Sequence, residues 1–234
     1  MIDICAFSDG HGIFPKIEKP FDLCLIGGDN IHLHFQREKR DAIDWYHFTF
    51  SEWINKLPFK DSESRVLWIA GNHEVGWEKL GQEGRQRIAK DVEELTNGRA
   101  IYLEDSLYRF KNLAIYGTPW CKIFGNWAFN KDNDSLKIIY EAIPYNIDIL
   151  LTHDAPYGTS DICFDWTKWG RTPYSIGNEP LRDIIVEKKP KINIHGHLHS
   201  ANHNVERLNE TDVYCVSILN EEYKNTYEPL YLEL

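Results

Sequence analysis

A short apolar run followed at once by glycine and polar residues recurs along this chain. The runs are Ile4-Cys5-Ala6-Phe7, Leu23-Cys24-Leu25-Ile26, Val66-Leu67-Trp68-Ile69, Leu113-Ala114-Ile115-Tyr116 and Ile147-Asp148-Ile149-Leu150-Leu151, with Ile192 and Ile194 continuing the pattern. Runs of this length read as strands buried on both faces, as in sheets covered by helices. Helical spacing fills the intervals. Ile43, Tyr46, Phe50, Trp53, Ile54 and Leu57 recur on one face until Pro58, and Ile88, Val92 and Leu95 do so until Asn97-Gly98. Leu136, Ile139, Tyr140 and Ile143 precede Pro144, and Leu181, Ile184 and Ile185 precede Pro190. Alternation of this kind predicts an α/β fold. The stretches 205–208, 213–218 and 227–234 predict antiparallel strands finishing a sheet, and 164–178, aromatic without periodicity, predicts a long ordered loop. With no linker or repeat in the pattern, residues 1–234 read as one domain.

Composition narrows the partners. Eight Trp, twelve Tyr and eleven Phe exclude a disordered chain. No apolar run approaches the roughly 18 residues of a membrane helix. Asp3 stands where a basic leader segment would need lysine or arginine, and the five cysteines are scattered, three of them (Cys5, Cys24, Cys215) in apolar runs. Reduced thiols in a cytoplasmic protein are the expectation. A net charge of −10 argues against grip on a nucleic-acid duplex, which depends on lysine and arginine meeting phosphates.

The residues just beyond each run carry the chemistry. Ser8-Asp9-Gly10-His11, Gly27-Gly28-Asp29-Asn30, Ala70-Gly71-Asn72-His73-Glu74, Thr152-His153-Asp154 and His195-Gly196-His197-Leu198-His199 all stand directly after apolar runs. In open α/β sheets the C-terminal strand ends share one crevice, so these donors are expected to converge. Mixed carboxylate, amide and imidazole donors suit Mn²⁺, Fe or Zn²⁺, and a carboxylate can bridge two cations.

In these motifs the chain resembles the calcineurin-like binuclear metallophosphoesterases, whose patterns D-x-H, G-D, G-N-H-[DE], a lone H and G-H-x-H stand here in order. They are Asp9-Gly10-His11, Gly28-Asp29, Gly71-Asn72-His73-Glu74, His153 and Gly196-His197-Leu198-His199. The segments F-S-E-W-I-N-K-L-P, Y-G-T-P-W and L-T-H-D-A-P-Y-G extend the likeness toward the metallophosphoesterase-domain-containing and class III cyclic-nucleotide phosphodiesterase-like subgroup. The resemblance implies a four-layer αββα sandwich, two mixed sheets flanked by helices. It implies two divalent ions, Mn²⁺ favoured and Fe, Zn²⁺ or Ni²⁺ also suitable. Asp9, His11 and His199 would hold one, Asn72, His153 and His197 the other, and Asp29 would bridge them. His73 would sit just outside and assist the leaving group, with a hydroxide held between the cations as nucleophile.

The same residues bear on substrate. The stretch Gly28-Asp29-Asn30-Ile31-His32-Leu33-His34 lacks the second aspartate and the arginine of phosphoprotein phosphatases, and Ala70 stands where those enzymes carry another arginine. That disfavours a protein phosphatase and leaves His73 without a visible orienting partner. Few basic residues border the motifs (Lys122, Lys168, Arg171), so a phosphodiester monoanion is favoured over a monoester dianion. Trp120, Phe124, Trp127 and Phe129, with Trp166 and Trp169, are candidates for a wall on which a nucleobase stacks. The expectation is a phosphodiesterase acting on a small phosphate ester, nucleotide or cyclic nucleotide. The alternatives are a nuclease, a processor of RNA ends or 2′,3′-cyclic phosphates, a phosphomonoesterase, or a non-catalytic scaffold.

Overall fold

Two sheets lie face to face in the computed structural model, which describes residues 1–165 and 172–234. The first runs in the order Leu230–Glu233, Asp3–Phe7, Leu23–Ile26, Arg65–Trp68, Ala100–Tyr102. Its last four strands are parallel, and Leu230–Glu233 pairs antiparallel at the edge. The second runs Glu206–Leu208, Thr211–Cys215, Ile192–His195, Ile149–Thr152, Leu113–Thr118, Ser106–Phe110, with parallel pairing in the middle and antiparallel pairs at both ends.

Alternate side chains decide the layering, because successive residues of a strand face opposite ways. Ile4, Ala6, Leu23, Leu25 and Leu67 of the first sheet meet Leu113, Ile115, Ile149, Leu151, Ile192 and Ile194 of the second in one buried cluster. The opposite face of the first sheet (Cys5, Phe7, Cys24, Ile26, Val66, Trp68) packs on Trp45, Tyr46, Phe50, Trp77, Ile88 and Val92 of the helices. Tyr116 and Leu150 on the outer face of the second sheet pack on Leu136, Tyr140, Leu181, Ile184 and Ile185. The expected αββα layering is therefore present.

The helices Gly81–Leu95, Asn133–Glu141 and Glu179–Lys188 fall where the periodicity puts them. Asp132 and Asn178 cap the second and third by accepting the amides of Ser135 and Leu181. The segment expected as one helix up to Pro58 is continuous but changes pitch: Lys39–Asp44 and Ser51–Ile54 are α and Trp45–Phe50 is π. Apolar spacing of three and four residues does not distinguish these windings. The C-terminal strands correct a second expectation. They do not finish one sheet: Leu230–Glu233 closes the first, and Thr211–Cys215 lies in the second, parallel to Ile192–His195. Within 164–178, Ile162–Asp165 and Thr172–Ser175 form an antiparallel pair rather than a loop. No helix among the described residues is long and apolar enough to cross a membrane.

This topology aligns the strand ends. Phe7, Ile26 and Trp68 are paired in register, and so are Thr118 and Thr152. Ser8 bridges to Ser217, and the Gly196 amide donates to the His153 carbonyl at 3.1 Å, so the loops of both sheets open onto one edge.

Candidate metal centre

The loops at that edge are tightly bent. Asp9, His11, Asp29 and His197 all have left-handed backbones, with φ of 57°, 44°, 51° and 69°. Such conformations cost about 1–3 kcal/mol each in residues other than glycine and persist only where surroundings enforce them. Here they are enforced by bonds between loops: the amides of Asp9 and His11 donate to the carbonyls of Gly28 and Asp29 at 3.0 and 2.9 Å. Gly71 is required by proximity, since a Cβ there would collide with Asp29 Oδ1 and His153 Cε1.

The bends aim seven side chains, Asp9, His11, Asp29, Asn72, His153, His197 and His199, at one region. Ligand atoms of Asp9, His11 and His199 lie within 4.8 Å of one another, as do those of Asp9, Asp29 and His153. Asp29 Oδ2 is 3.7 Å from His11 Nε2 and 3.5 Å from His153 Nε2. His11 Nε2 and His199 Nε2 face each other at 3.3 Å, and His153 Nε2 is 2.9 Å from Asn72 Oδ1. The His153 and His197 rings are 5.1 Å apart. Lone pairs of imidazoles, carboxylates and an amide converging in a buried space fit divalent cations. His11 adds to the fit: its Nδ1 is buried with no hydrogen-bond partner among the described residues, while its Nε2 faces the other donors.

Outer contacts hold the donors in place. His153 Nδ1 lies 2.7 Å from the Gly27 carbonyl and His199 Nδ1 lies 3.0 Å from that of Asn220, leaving Nε2 of each ring to face inward. Ser217 Oγ donates to Asp9 Oδ2 at 2.7 Å, and the His73 amide donates to Asp29 Oδ1 at 2.7 Å. Glu74, fully buried, accepts the amides of Asp29, Asn30, Ile31 and Gly71 at 2.6–3.1 Å and the Tyr46 hydroxyl at 3.2 Å. One carboxylate thus ties the loop bearing Asp29 to the loop bearing Asn72.

Charge is balanced within the cluster. Burial opposes ionisation of Asp9, but the His199 hydrogen bond and the charges of His153 and His199 outweigh it and hold the carboxyl well below its usual range. Asp29 is likewise depressed against burial, by the charges of His153 and His73. Burial works against protonation of His153, yet Asp29 raises it to about 10; the Asp9 hydrogen bond similarly raises His199 to about 9. Burial lowers His11 to about 4 and also lowers His73 and His197. Burial and the nearby Asp29 push Glu74 up to about 7 despite its amide donors. Two carboxylates facing two protonatable imidazoles is the arrangement of a site that exchanges protons for cations.

His73 is as close as the expected ligands: a ligand atom of it groups with His11 and Asp29, and its Nε2 is 3.9 Å from Asp29 Oδ2. Its Nδ1 is 2.7 Å from Gln36 Oε1, and its ring stacks on Trp127 at 4.3 Å. The site opens into a cavity of about 730 Å³ whose aromatic lining is Phe124, Trp127, Tyr174 and Tyr223. Phe124 lies 5.0 Å from the His197 ring, and Tyr223 lies 4.9 and 5.3 Å from those of His11 and His199.

The aromatic expectations need correction. Trp120 does not line the cavity: its indole N–H is drawn to Asp105 Oδ2 at 2.7 Å and its ring packs on Phe129, itself fully buried. Trp166 and Trp169, with Lys168 and Arg171, lie outside the described residues. His195 ends its strand fully buried with Nδ1 3.0 Å from the Gly196 carbonyl, and His32 and His34 stack on each other in a loop. Gln36 and Tyr223 were not anticipated, and nothing local marks either. Nor was Cys121, buried, whose sulfur groups with His153 and His197 within 4.8 Å.

The chain is similar to several known proteins. A UPF0046 protein of Caenorhabditis elegans is 30% identical over 196 residues, covering 79% of this chain and 66% of its own length. Metallophosphoesterase domain-containing protein 1 of Homo sapiens is 26% identical over 253 aligned positions, covering 99% and 70%. The chain thus spans about two thirds of the length of these relatives. A solved protein of Thermus thermophilus shares the fold with a TM-score of 0.56 at 14% identity, over 92% of this chain and 88% of that one. The phosphopantetheinyl hydrolase of Mycobacterium tuberculosis does so with a TM-score of 0.54 at 11% identity, over 98% and 95%. The calcineurin-like phosphoesterase model matches residues 2–201, a span that holds all five motifs. Donor geometry, layering and family match coincide, and the chain belongs to the calcineurin-like phosphoesterase family, a family of hydrolases acting on phosphate esters.

Proposed function

We propose that this protein is a binuclear metal-dependent phosphodiesterase acting on a nucleotide, cyclic nucleotide or similarly small phosphate diester. Asp9, His11 and His199 would hold one cation and Asn72, His153 and His197 the other, with Asp29 shared between them and Mn²⁺ the favoured metal. The position of Asp29 Oδ2 between His11 and His153 supports the bridging role. When bound, the two divalent ions supply Lewis acidity toward the phosphate oxygens and acidify water. The chain's own contribution is positioning and charge. Asn72 offers a neutral oxygen, so only Asp9 and Asp29 offset the cations' charge and the site stays attractive to an anion. His73 faces the cavity with Nε2 and serves the departing oxygen.

One observation carries the preference for diesters. Lys122 is the only lysine or arginine lining the cavity among the described residues, and its Nζ is paired with Glu179 Oε2 at 2.8 Å. A monoester dianion, which calls for additional cationic donors, is poorly matched there. The aromatic flanks Phe124 and Tyr223 suit a flat base or aryl group. Turnover of bis-aryl and mono-aryl phosphates by Mn²⁺-loaded protein tests the reading. Preference for the bis-aryl ester is expected, whereas preference for the monoester, or turnover of neither, contradicts it. A small ester substrate, a cytoplasmic setting and no hold on duplexes or membranes belong to the same proposal.

A further inference from the structure

The loop after Asp29 presents its backbone to the segment that follows His73, where the Glu74 carboxylate, the Gly76 amide and the Lys79 ammonium meet it. The Gly76 amide donates to the Gln36 carbonyl at 2.6 Å, and Lys79 Nζ donates to the Arg37 carbonyl at 2.8 Å. Gly76 allows the approach, because a Cβ there would stand 2.5 Å from the Glu38 carbonyl oxygen. Arg37 adds a cation–π contact, its guanidinium 5.1 Å from the Trp127 ring. This fixes the backbone of residue 36 relative to His73, so that one side chain bridges the gap: Gln36 Oε1 meets His73 Nδ1 at 2.7 Å. Trp127 covers the face of the same imidazole at an interplanar angle of 30°.

We infer that Gln36 is the positioning residue of His73, fixing its ring so that Nδ1 carries a proton toward the amide oxygen and Nε2 faces the reacting ester. The inference rests on the reading of His73 as the residue serving the leaving group. An amide oxygen accepts from Nδ1–H whether or not Nε2 is also protonated, so the ring need not rotate during turnover. As the phosphorus–oxygen bond to the leaving group breaks, that oxygen takes the Nε2 proton. The imidazole is left as the Nδ1–H tautomer, still held by Gln36, and solvent returns the proton to Nε2 before the next cycle. Being neutral, the amide orients the ring without adding negative charge beside Asp29. Trp127 restrains tilt, and Gln36 restrains rotation.

Three variants and two readouts test this. Gln36→Leu keeps the size and removes the acceptor, Gln36→Glu keeps an acceptor, and His73→Ala removes the ring. With aryl phosphodiesters of graded leaving-group acidity, Gln36→Leu is expected to lower kcat about 10–100-fold for the poorest leaving group. It should leave KM within about twofold and barely affect nitrophenyl esters. Gln36→Glu should restore most of the loss. Nitrogen shifts of the imidazoles in the Zn²⁺-loaded protein should show His73 Nδ1 protonated whether or not Nε2 carries a proton, and an Nε2–H tautomer should appear beside the Nδ1–H one in Gln36→Leu. A uniform loss across leaving groups, no restoration by Gln36→Glu, or an unchanged tautomer overturns the inference. If His73→Ala shows no leaving-group dependence, the role of His73 fails, and the tautomer still decides whether Gln36 holds the ring. If His73→Ala shows that dependence and Gln36→Leu does not, only this inference falls.

Discussion

His153 Nε2 stands 3.5 Å from Asp29 Oδ2 in the interior of the protein, the ring fully buried and the carboxylate nearly so. In cation-free protein the Asp29 carboxylate favours the protonated His153 ring. His153, raised to about 10, and His199, raised to about 9, sit above their ordinary value of 6.5. That elevation sets the direction of the pH effect. Their contribution to the stability of cation-free protein is complete below pH 6.5 and is lost as pH rises through 9 to 10, a change on the order of a few kcal/mol. Chelator-treated protein should therefore melt progressively lower across that window, and added Mn²⁺ should remove the decline. Cations must displace the same protons, so Mn²⁺ affinity should rise with pH, with proton release visible by calorimetry in buffers of different ionisation enthalpy. Affinity independent of pH below 9 would contradict this balance.

Glu74 predicts a different loss. It binds four amides and a hydroxyl across two loops. Truncation strands those donors in a dry interior, and Glu74→Ala should cost about 3–5 kcal/mol of unfolding free energy. Because Asp29 and Gly71 are among its partners, cation affinity should fall as well. Urea denaturation and metal titration check both effects; Glu74→Ala protein with wild-type affinity would show that the brace does not position the donors.

Stacking is testable at the two flanks. Tyr223→Ala and Phe124→Ala should each raise KM for nucleotide diesters about 5–30-fold, since stacking on one ring is worth about 1–2 kcal/mol. A small methyl aryl diester reaches neither flank as fully and should respond less. Equal effects on both substrates would assign these rings to loop packing alone.

Much of this was legible because it is local. A strand buried on both faces leaves a continuous apolar run, and residues just beyond it must lie at the sheet's edge, so Asp9, Asp29, Asn72, His153, His197 and His199 could be read one motif at a time. Residues that reach the centre from outside the motifs were not legible. Gln36 meets His73 across 37 positions, and Tyr223 comes from a C-terminal turn. Trp120 shows the reverse error: it neighbours candidate wall residues in sequence, but Asp105 draws its indole away from the cavity. The strands near the C-terminus were recognisable individually, yet alternation along 205–234 carries no information about which sheet each joins.

Gly71→Ala offers a backbone test of the same centre. A methyl group there collides with Asp29 Oδ1 and the His153 ring, so something in the donor set must shift. The variant should lose at least about tenfold in cation affinity, by analogy with displaced supporting contacts around metals. Isothermal titration measures it, and unaltered affinity would mean that the donors can move apart without consequence.

The most direct measurement is metal stoichiometry, by elemental analysis of protein loaded with Mn²⁺ and freed of excess. Two equivalents per chain are predicted for the wild type, with Asn72→Ala and His11→Ala each losing one of them preferentially. One equivalent or fewer in the wild type, or two retained in both variants, would contradict a paired centre built from these side chains.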